Sequence, residues 1–383
     1  GRALNFPRGK VLGGCSAING MIYMRGQARD YDTWRQMGNP GWSWEDVLPY
    51  FRRSEDFAHG ADELHGSGGE WRVEEMRLRW EILDVFREAA AQVGIPKTDD
   101  FNRGNNEGCG YFQVNQRNGV RWTTAKGFLR PALNRPNLAV QTDAQALRLL
   151  LDGKRVTGVE IEVDGRVHRV TAQAEVILAS GAIGSPQLLQ LSGIGPGDVL
   201  ARYGIEVRHE LPGVGENLQD HLQIRTVYKV SGTRTLNERA NNPFWRGVMG
   251  AQYFLMRRGP LTMAPSQLGA FAKSDPSYET PNLEYHIQPL SLDKFGDPLH
   301  PFPAITASVC NLRPTSRGHV RLKAPDPKIP PAIQPNYLAT EEDRHVAADA
   351  IRLTRRIMAA PALARFTPEE HLPGAHVQDE REL

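Results

Sequence analysis

Between Pro7 and Gly26 the chain reads PRGKVLGGCSAINGMIYMRG. The adjacent glycines Gly13 and Gly14 carry no side chains, so backbone here can lie against a planar or phosphate group. Ser16 and the neighbouring backbone N–H groups can donate to phosphate oxygens. Asn19 both donates and accepts, which suits a flavin edge with N–H and C=O groups side by side. Cys15 sits among them without the context of a cysteine hydrolase and reads as a small packed thiol. A hydrolase using Ser16 or Cys15 is the weaker alternative.

Such residues need elements to hold them, and the clearest pattern lies between Asn137 and Gly195. RVTGVEIEV alternates with Val159, Ile161 and Val163 predicted inward, Asp164-Gly165 is a hairpin turn, and RVHRVTA returns. EVILASGA then gives a continuous apolar run over Val176 to Ala179, as for a buried parallel strand. It breaks at Gly181 and restarts as a helix, for which Ser185 fits the N-cap and Pro186 the first position. Leu188, Leu189 and Leu191 form one face of that helix, and Gly193 stops it. A buried strand running through small residues into a helix is how open α/β sheets place a ligand; ordinary core packing is the alternative. Upstream, Leu83, Phe86, Ala90 and Val93 recur at helical spacing before Gly94 and Pro96. Residues 97–127 read as one long polar loop of the kind that covers a site. From 212 to 340, stretches such as PNLEYHIQP and ITASVC predict a second domain on a mixed or antiparallel sheet. A helix is predicted over 341–358, capped by Thr340, with Glu341, Glu342 and Asp343 at its positive end and Arg355 and Arg356 near its negative end.

The composition bounds the class. The 383 residues allow two or three domains, and 40% hydrophobic with 23% charged content fits a globular chain with a sizeable core. A net charge of +2 without a long basic run gives no reason to expect nucleic acid. No run of about 18 apolar residues predicts a membrane span. Cys15, Cys109 and Cys310 lie far apart, forming neither a disulfide framework nor a zinc site, and point to a reducing, cytoplasmic compartment. There is no H-E-x-x-H, G-x-S-x-G, P-loop or G-x-G-x-x-G; GIGPGD at 193–198 fails at its last position. His221 reads as structural or near a cofactor. His286 and Gln288 face either a substrate cavity or the core, and His371 with His376 are spaced too loosely for a metal pair. No metal site is expected.

Two long stretches carry a specific resemblance. GKVLGGCSAINGMIYMRGQARDY, residues 9–31, resembles the first signature of the glucose–methanol–choline (GMC) family of flavin oxidoreductases, and GAIGSPQLLQLSGIG, 181–195, resembles its second. PGVGENLQDH (212–221), GPLTMAPSQLGAF (259–271) and RPTSRGHVRL (313–322) extend the likeness over nearly the whole chain, closest to the choline and alcohol dehydrogenase branch. The resemblance implies FAD, with Val11, Gly13, Gly14, Ser16, Asn19, Gly20, Met21 and Ile22 on the cofactor. It also implies that Ala146 meets the adenine through its backbone and that Ser180 and Gly181 line the dinucleotide. Some choline oxidases tether the flavin through a histidine just before the asparagine; here that position is Ile18, so the expected FAD is non-covalent.

The implied fold class is α/β, α+β overall. An FAD-binding doubly wound domain over 1–35 and 131–225 is expected to lack its N-terminal strand and glycine loop. A lid segment of helix and loop over 36–130 and a substrate domain on a mixed or antiparallel sheet over 226–383 complete it. The family's catalytic histidine is expected beyond Leu383, so no catalytic residue is assigned. The implied activity is oxidation of a primary alcohol, choline or another, by hydride transfer to flavin N5, with a small-molecule substrate and an electron acceptor left open. The alternative is a non-catalytic fragment or pseudo-enzyme of the same family.

Overall fold

The computed structural model describes residues 3–294 and 296–379. They form helices and sheets without a closed barrel, the α/β class expected. The chain gathers into two compact units: residues 1–138, 223–312 and 345–383 in the first, and residues 139–222 and 313–344 in the second.

The first unit is built on a six-stranded sheet. Its order is Glu369–Leu372, Gln223–Lys229, Ala304–Asn311, Leu283–Gln288, Leu268–Ala272 and Gly108–Tyr111, every neighbour antiparallel. Strand side chains alternate between faces. Leu283, Tyr285 and Ile287 therefore share one face with Ile305, Ala307 and Val309, and all six are fully buried. The helix Glu81–Gln92 supplies Ile82, Leu83 and Phe86 to the same core, and the helix Glu341–Met358 supplies Val346, Ala350, Leu353 and Ile357. The first helix stands where helical spacing predicted it, and the second where its cap and terminal charges did. Gly94, at φ +95°, ends the first in a conformation few other residues adopt, and Thr340 Oγ1 accepts from Asp343 N at 3.3 Å at the start of the second.

The predicted loop over 97–127 is not structureless. It contains the strand Gly108–Tyr111, whose small residues lie against the next strand through Gly110–Gly269 and Cys109–Ala270 pairing. Two glycines and a cysteine in four residues hide a strand from propensity.

In the second unit the strands Ala144–Asp152, Arg155–Val163 and Arg166–Thr171 form an antiparallel sheet. The Asp164-Gly165 turn is present, both residues at positive φ as a tight hairpin requires. The inward face differs in detail: Val159, Ile161 and Val163 are only half-buried, whereas Glu160 is buried between Arg148 (3.1 Å) and Arg169 (3.3 Å). Leu149, Leu188, Ile194 and Val214 form this unit's core.

Two expectations fail here. Val176 to Ala179 is not a strand, and Ile177 is 80% exposed. The run has no pairing strand among the described residues, and a parallel strand needs neighbours to satisfy its backbone. Val176 and Leu178 do turn toward the Leu149 cluster, so the run is one-sided rather than buried throughout. The following helix spans Gly181–Leu191 with Ser180 at its N-cap, placing Pro186 inside it instead of at its first position. Gly181, at φ +77°, lets the chain enter the helix five residues earlier than a cap at Ser185 would. Gln190 on this helix is fully buried and fully used: Nε2 donates to Val320 O (2.9 Å) and Val214 O (3.3 Å), and Oε1 accepts from Leu322 N (3.0 Å).

Candidate functional site

The glycine pair opens a short 3₁₀ turn, Gly14–Ala17, with Gly13 at φ +95° and Gly14 at φ +51°. A side chain at Gly13 would meet Ala125 Cβ at 3.3 Å, whereas one at Gly14 would stand in open space. Gly14 is thus a bare stretch of main chain facing outward. Large apolar residues flank it, with Val11, Leu12 and Ile18 all exposed. Exposed apolar side chains beside bared backbone suit a flat, partly apolar ligand.

A second segment locks this loop. Ser16 Oγ donates to Gly13 O at 2.5 Å and accepts from Thr124 N at 3.0 Å, and Thr124 Oγ1 donates to Gly13 O at 3.2 Å. Arg121 Nη1 donates to Ser16 O (3.3 Å), Asn19 O (2.7 Å) and Asn19 Oδ1 (2.8 Å). Lys126 Nζ in turn donates to Arg121 O at 2.6 Å. Asn19 Oδ1 also accepts from Met21 N at 3.0 Å, with Met21 at φ +61°. The amide oxygen is therefore used within the protein, and the exposed Asn19 presents its Nδ2 hydrogens as donors. Met21 turns its side chain into a small core with Val114 and Ala264, Ile22 packs beside it, and Gly20 stays half-exposed.

These residues fit the flavin dinucleotide that the first stretch resembles a site for: bared backbone at Gly14, apolar flanks, and an amide donor held in one orientation. In the second unit, Ser180 and Gly181 are exposed at the start of the helix Gly181–Leu191, with no side-chain cap bond from Ser180. Ala146 lies half-buried on the strand Ala144–Asp152, where the ladder shifts register.

The sheet of the first unit offers a further chemical surface. Opposite its apolar face, Glu284 pairs with Cys310, His286 with Ser308 and Gln288 with Thr306. Gln288, Thr306, Ser308 and Cys310 are buried. His286 Nε2 lies 3.4 Å from Glu284 Oε1, and the Phe112 ring lies 5.4 Å from the imidazole. Burial pushes the Glu284 carboxyl up to about 7. Sequence reading singled out His286 and Gln288 but passed over Glu284, although the alternation Leu283, Glu284, Tyr285, His286 places it on their face. Arg121 and Thr124 were also missed; they act on residues more than 100 positions away, and no local pattern signals that.

The later residues of the first signature enter a buried ionic cluster. Arg25 Nη2 meets Glu55 Oε2 at 2.9 Å, Nη1 donates to Leu64 O at 2.7 Å, and Nε donates to Tyr23 Oη at 3.0 Å. His65 bridges Glu55 (3.1 Å) and Asp100 (2.9 Å). Burial disfavours the charged imidazole, but the bonds and charges of Asp100 and Glu55 outweigh it and push His65 up to about 9.

Comparison with known proteins places the chain in a family. A sequence profile described as GMC oxidoreductase matches residues 1–223, and a second of the same description matches 314–383. The oxygen-dependent choline dehydrogenase of Photobacterium profundum is 40% identical over 100% of this chain and 67% of its own length. The mitochondrial choline dehydrogenase of Homo sapiens is 39% identical over 100% of this chain and 64% of its own. Among solved structures, an FAD-dependent oxidoreductase from Chaetomium thermophilum superimposes with a TM-score of 0.88 at 25% identity, covering 98% of this chain and 73% of that one. The chain thus spans about two thirds of the length of the curated relatives it matches.

Proposed function

The chain belongs to the GMC oxidoreductase family, and we propose that the enzyme it forms oxidises a primary alcohol, choline-like or otherwise, to the aldehyde with FAD. The observation that carries this reading is the bared, locked loop at Gly13–Gly14 with its oriented Asn19 amide. Bound FAD would supply the two-electron oxidant, with flavin N5 as the hydride acceptor. The residues of the chain bind and orient. Val11, Gly13, Gly14, Ser16 and Asn19 to Ile22 are the proposed contacts of the first unit, and Ala146, Ser180 and Gly181 those of the second. Ile18 offers no nucleophile where a tethering histidine stands in some choline oxidases, which supports non-covalent FAD. Glu284, once ionised, balances the charge of a cationic alcohol, and the rings on its sheet face favour the same class.

The test uses the intact protein. A flavin absorption spectrum is expected, with FAD released into the supernatant on acid precipitation and bleached anaerobically by choline or another primary alcohol. Flavin that stays with the precipitate would refute the non-covalent assignment. A spectrum unmoved by a panel of alcohols would refute the activity and favour a non-catalytic protein. Glu284 adds a pH signature. Its raised pKa leaves it neutral below about 7 and charged above. The KM for a cationic alcohol is expected to fall about tenfold as pH rises through that value, the worth of one charge-assisted contact. A neutral isostere should not follow, and Glu284→Gln should flatten the profile.

A further inference from the structure

A cavity of about 850 Å³ opens in the first unit, between the start of the helix Glu81–Gln92 and the chain leaving the strand Gln223–Lys229. Trp80 and Val230 in its wall belong to the core on the apolar face of the six-stranded sheet. The cavity therefore stands on the side of that sheet away from Glu284 and His286. Arg79, Arg234 and Arg239 line it as well. None of the three meets a carboxylate or donates a side-chain hydrogen bond among the described residues. Glu81 in the same wall is already paired with Arg365 at 2.8 Å, and Glu238 accepts from Thr235 N at 3.1 Å. Glu238 thus stands alone against three guanidinium groups, an excess of two positive charges. Two of these arginines are held in place by rings. Arg239 lies 5.3 Å from the centre of the Trp80 ring and 5.6 Å from that of Trp245, and Arg79 lies 4.5 Å from that of Tyr111. Stacking engages the flat face of a guanidinium and leaves its in-plane N–H donors unspent. The loop over 231–234 adds Gly232, at φ +71°, and the Thr233 hydroxyl, which makes no bond among the described residues.

We propose that this cavity binds a small organic phosphate monoester. The charge selects the class: a dianion matches the excess of two, and its clustered oxygens match guanidinium edges that have no other acceptor. The volume lies in the range of small-molecule sites, so there is room for a carbon skeleton beside the phosphate. Leu78 and Pro303 offer that skeleton an apolar wall. None of the residues proposed to hold FAD lines the cavity, so the ligand is neither the cofactor nor the alcohol. The proposal is independent of the FAD reading and survives its failure.

Isothermal titration of the intact protein with glycerol 3-phosphate tests it, with saturating FAD present so that the cofactor's own phosphate contacts are filled. One-to-one binding in the micromolar range is expected, weakening as salt is added. Glycerol should not bind, and inorganic sulfate should bind at least about tenfold more weakly. Arg234→Gln should weaken binding about tenfold, and Arg234→Gln with Arg239→Gln about a hundredfold. Arg234 makes no side-chain bond within the described residues, so the single variant should keep the wild-type circular dichroism even if the double variant does not. No binding, or binding unaltered in the single variant, would overturn the proposal. Sulfate binding as tightly as glycerol 3-phosphate would reduce the site to a general attraction for anions and overturn it too. Tighter binding of succinate would overturn the phosphate class.

Discussion

Arg25→Met is expected to destabilise the first unit by about 3–5 kcal/mol, the cost of stranding one partner of a buried ion pair. Arg25 and Glu55 are both buried, so the loss is not softened by water. The variant leaves the Glu55 carboxylate facing His65 and the Gly66 N–H alone, and it frees the Leu64 carbonyl. Methionine keeps the bulk, which separates charge from packing. The measurement is the urea midpoint of the intact protein, with Arg25→Met/Glu55→Gln as the comparison. Removing both charges should recover part of the loss. A single variant within about 1 kcal/mol of the wild type would show that the pair carries no stability. The cluster also has a pH signature. His65 gains its proton more readily in the folded state, so its contribution is complete below its ordinary range near 6.5 and is lost as pH rises through about 9.

Arg121→Gln is expected to weaken FAD binding about tenfold to a hundredfold while leaving the unfolding of the cofactor-free protein nearly unchanged. Arg121 holds three oxygens of the glycine loop, two of them on Asn19. Glutamine is shorter and uncharged, so the Asn19 amide loses the contact that fixes its oxygen inward. Charge-assisted bonds of this kind contribute about 1.5–3 kcal/mol each, and part of that is recovered from water in the exposed loop. Flavin fluorescence titration gives the dissociation constant directly, without turnover. Arg121→Lys separates two causes. It keeps the charge but loses the planar fork, so it should bind FAD poorly if orientation matters and well if charge alone does. An unchanged constant in both variants would refute the positioning role.

How much was legible in the sequence follows from how local each signal was. The helices Glu81–Gln92 and Glu341–Met358 were readable because period, cap and stop agreed within a few residues. The Asp164-Gly165 hairpin was readable for the same reason. The run Val176 to Ala179 misled because apolar content states what a segment prefers, not whether a partner strand stands beside it. Ser185 and Pro186 misled because a helix can begin on a glycine that bends early and tolerate proline further in. The glycine loop was found by its composition, and its likeness to a family signature did the rest. Its locks, Arg121 and Thr124, were invisible because their targets are distant in the chain. Glu284 was visible in principle through strand alternation and was passed over.

The order of strands has a consequence for synthesis. Gly108–Tyr111 forms one edge of the six-stranded sheet, but its partner is Leu268–Ala272, and the opposite edge is Glu369–Leu372. A ribosome adding about 5–20 residues per second needs roughly 10–30 seconds to travel from the first of these strands to its partner. Throughout that interval Ile82, Leu83 and Phe86, which end fully buried, have no sheet to lie on. The nascent chain therefore carries an open edge and an uncovered apolar helix throughout that interval. Its yield in a cell should depend on holdase chaperones more than its finished stability would indicate.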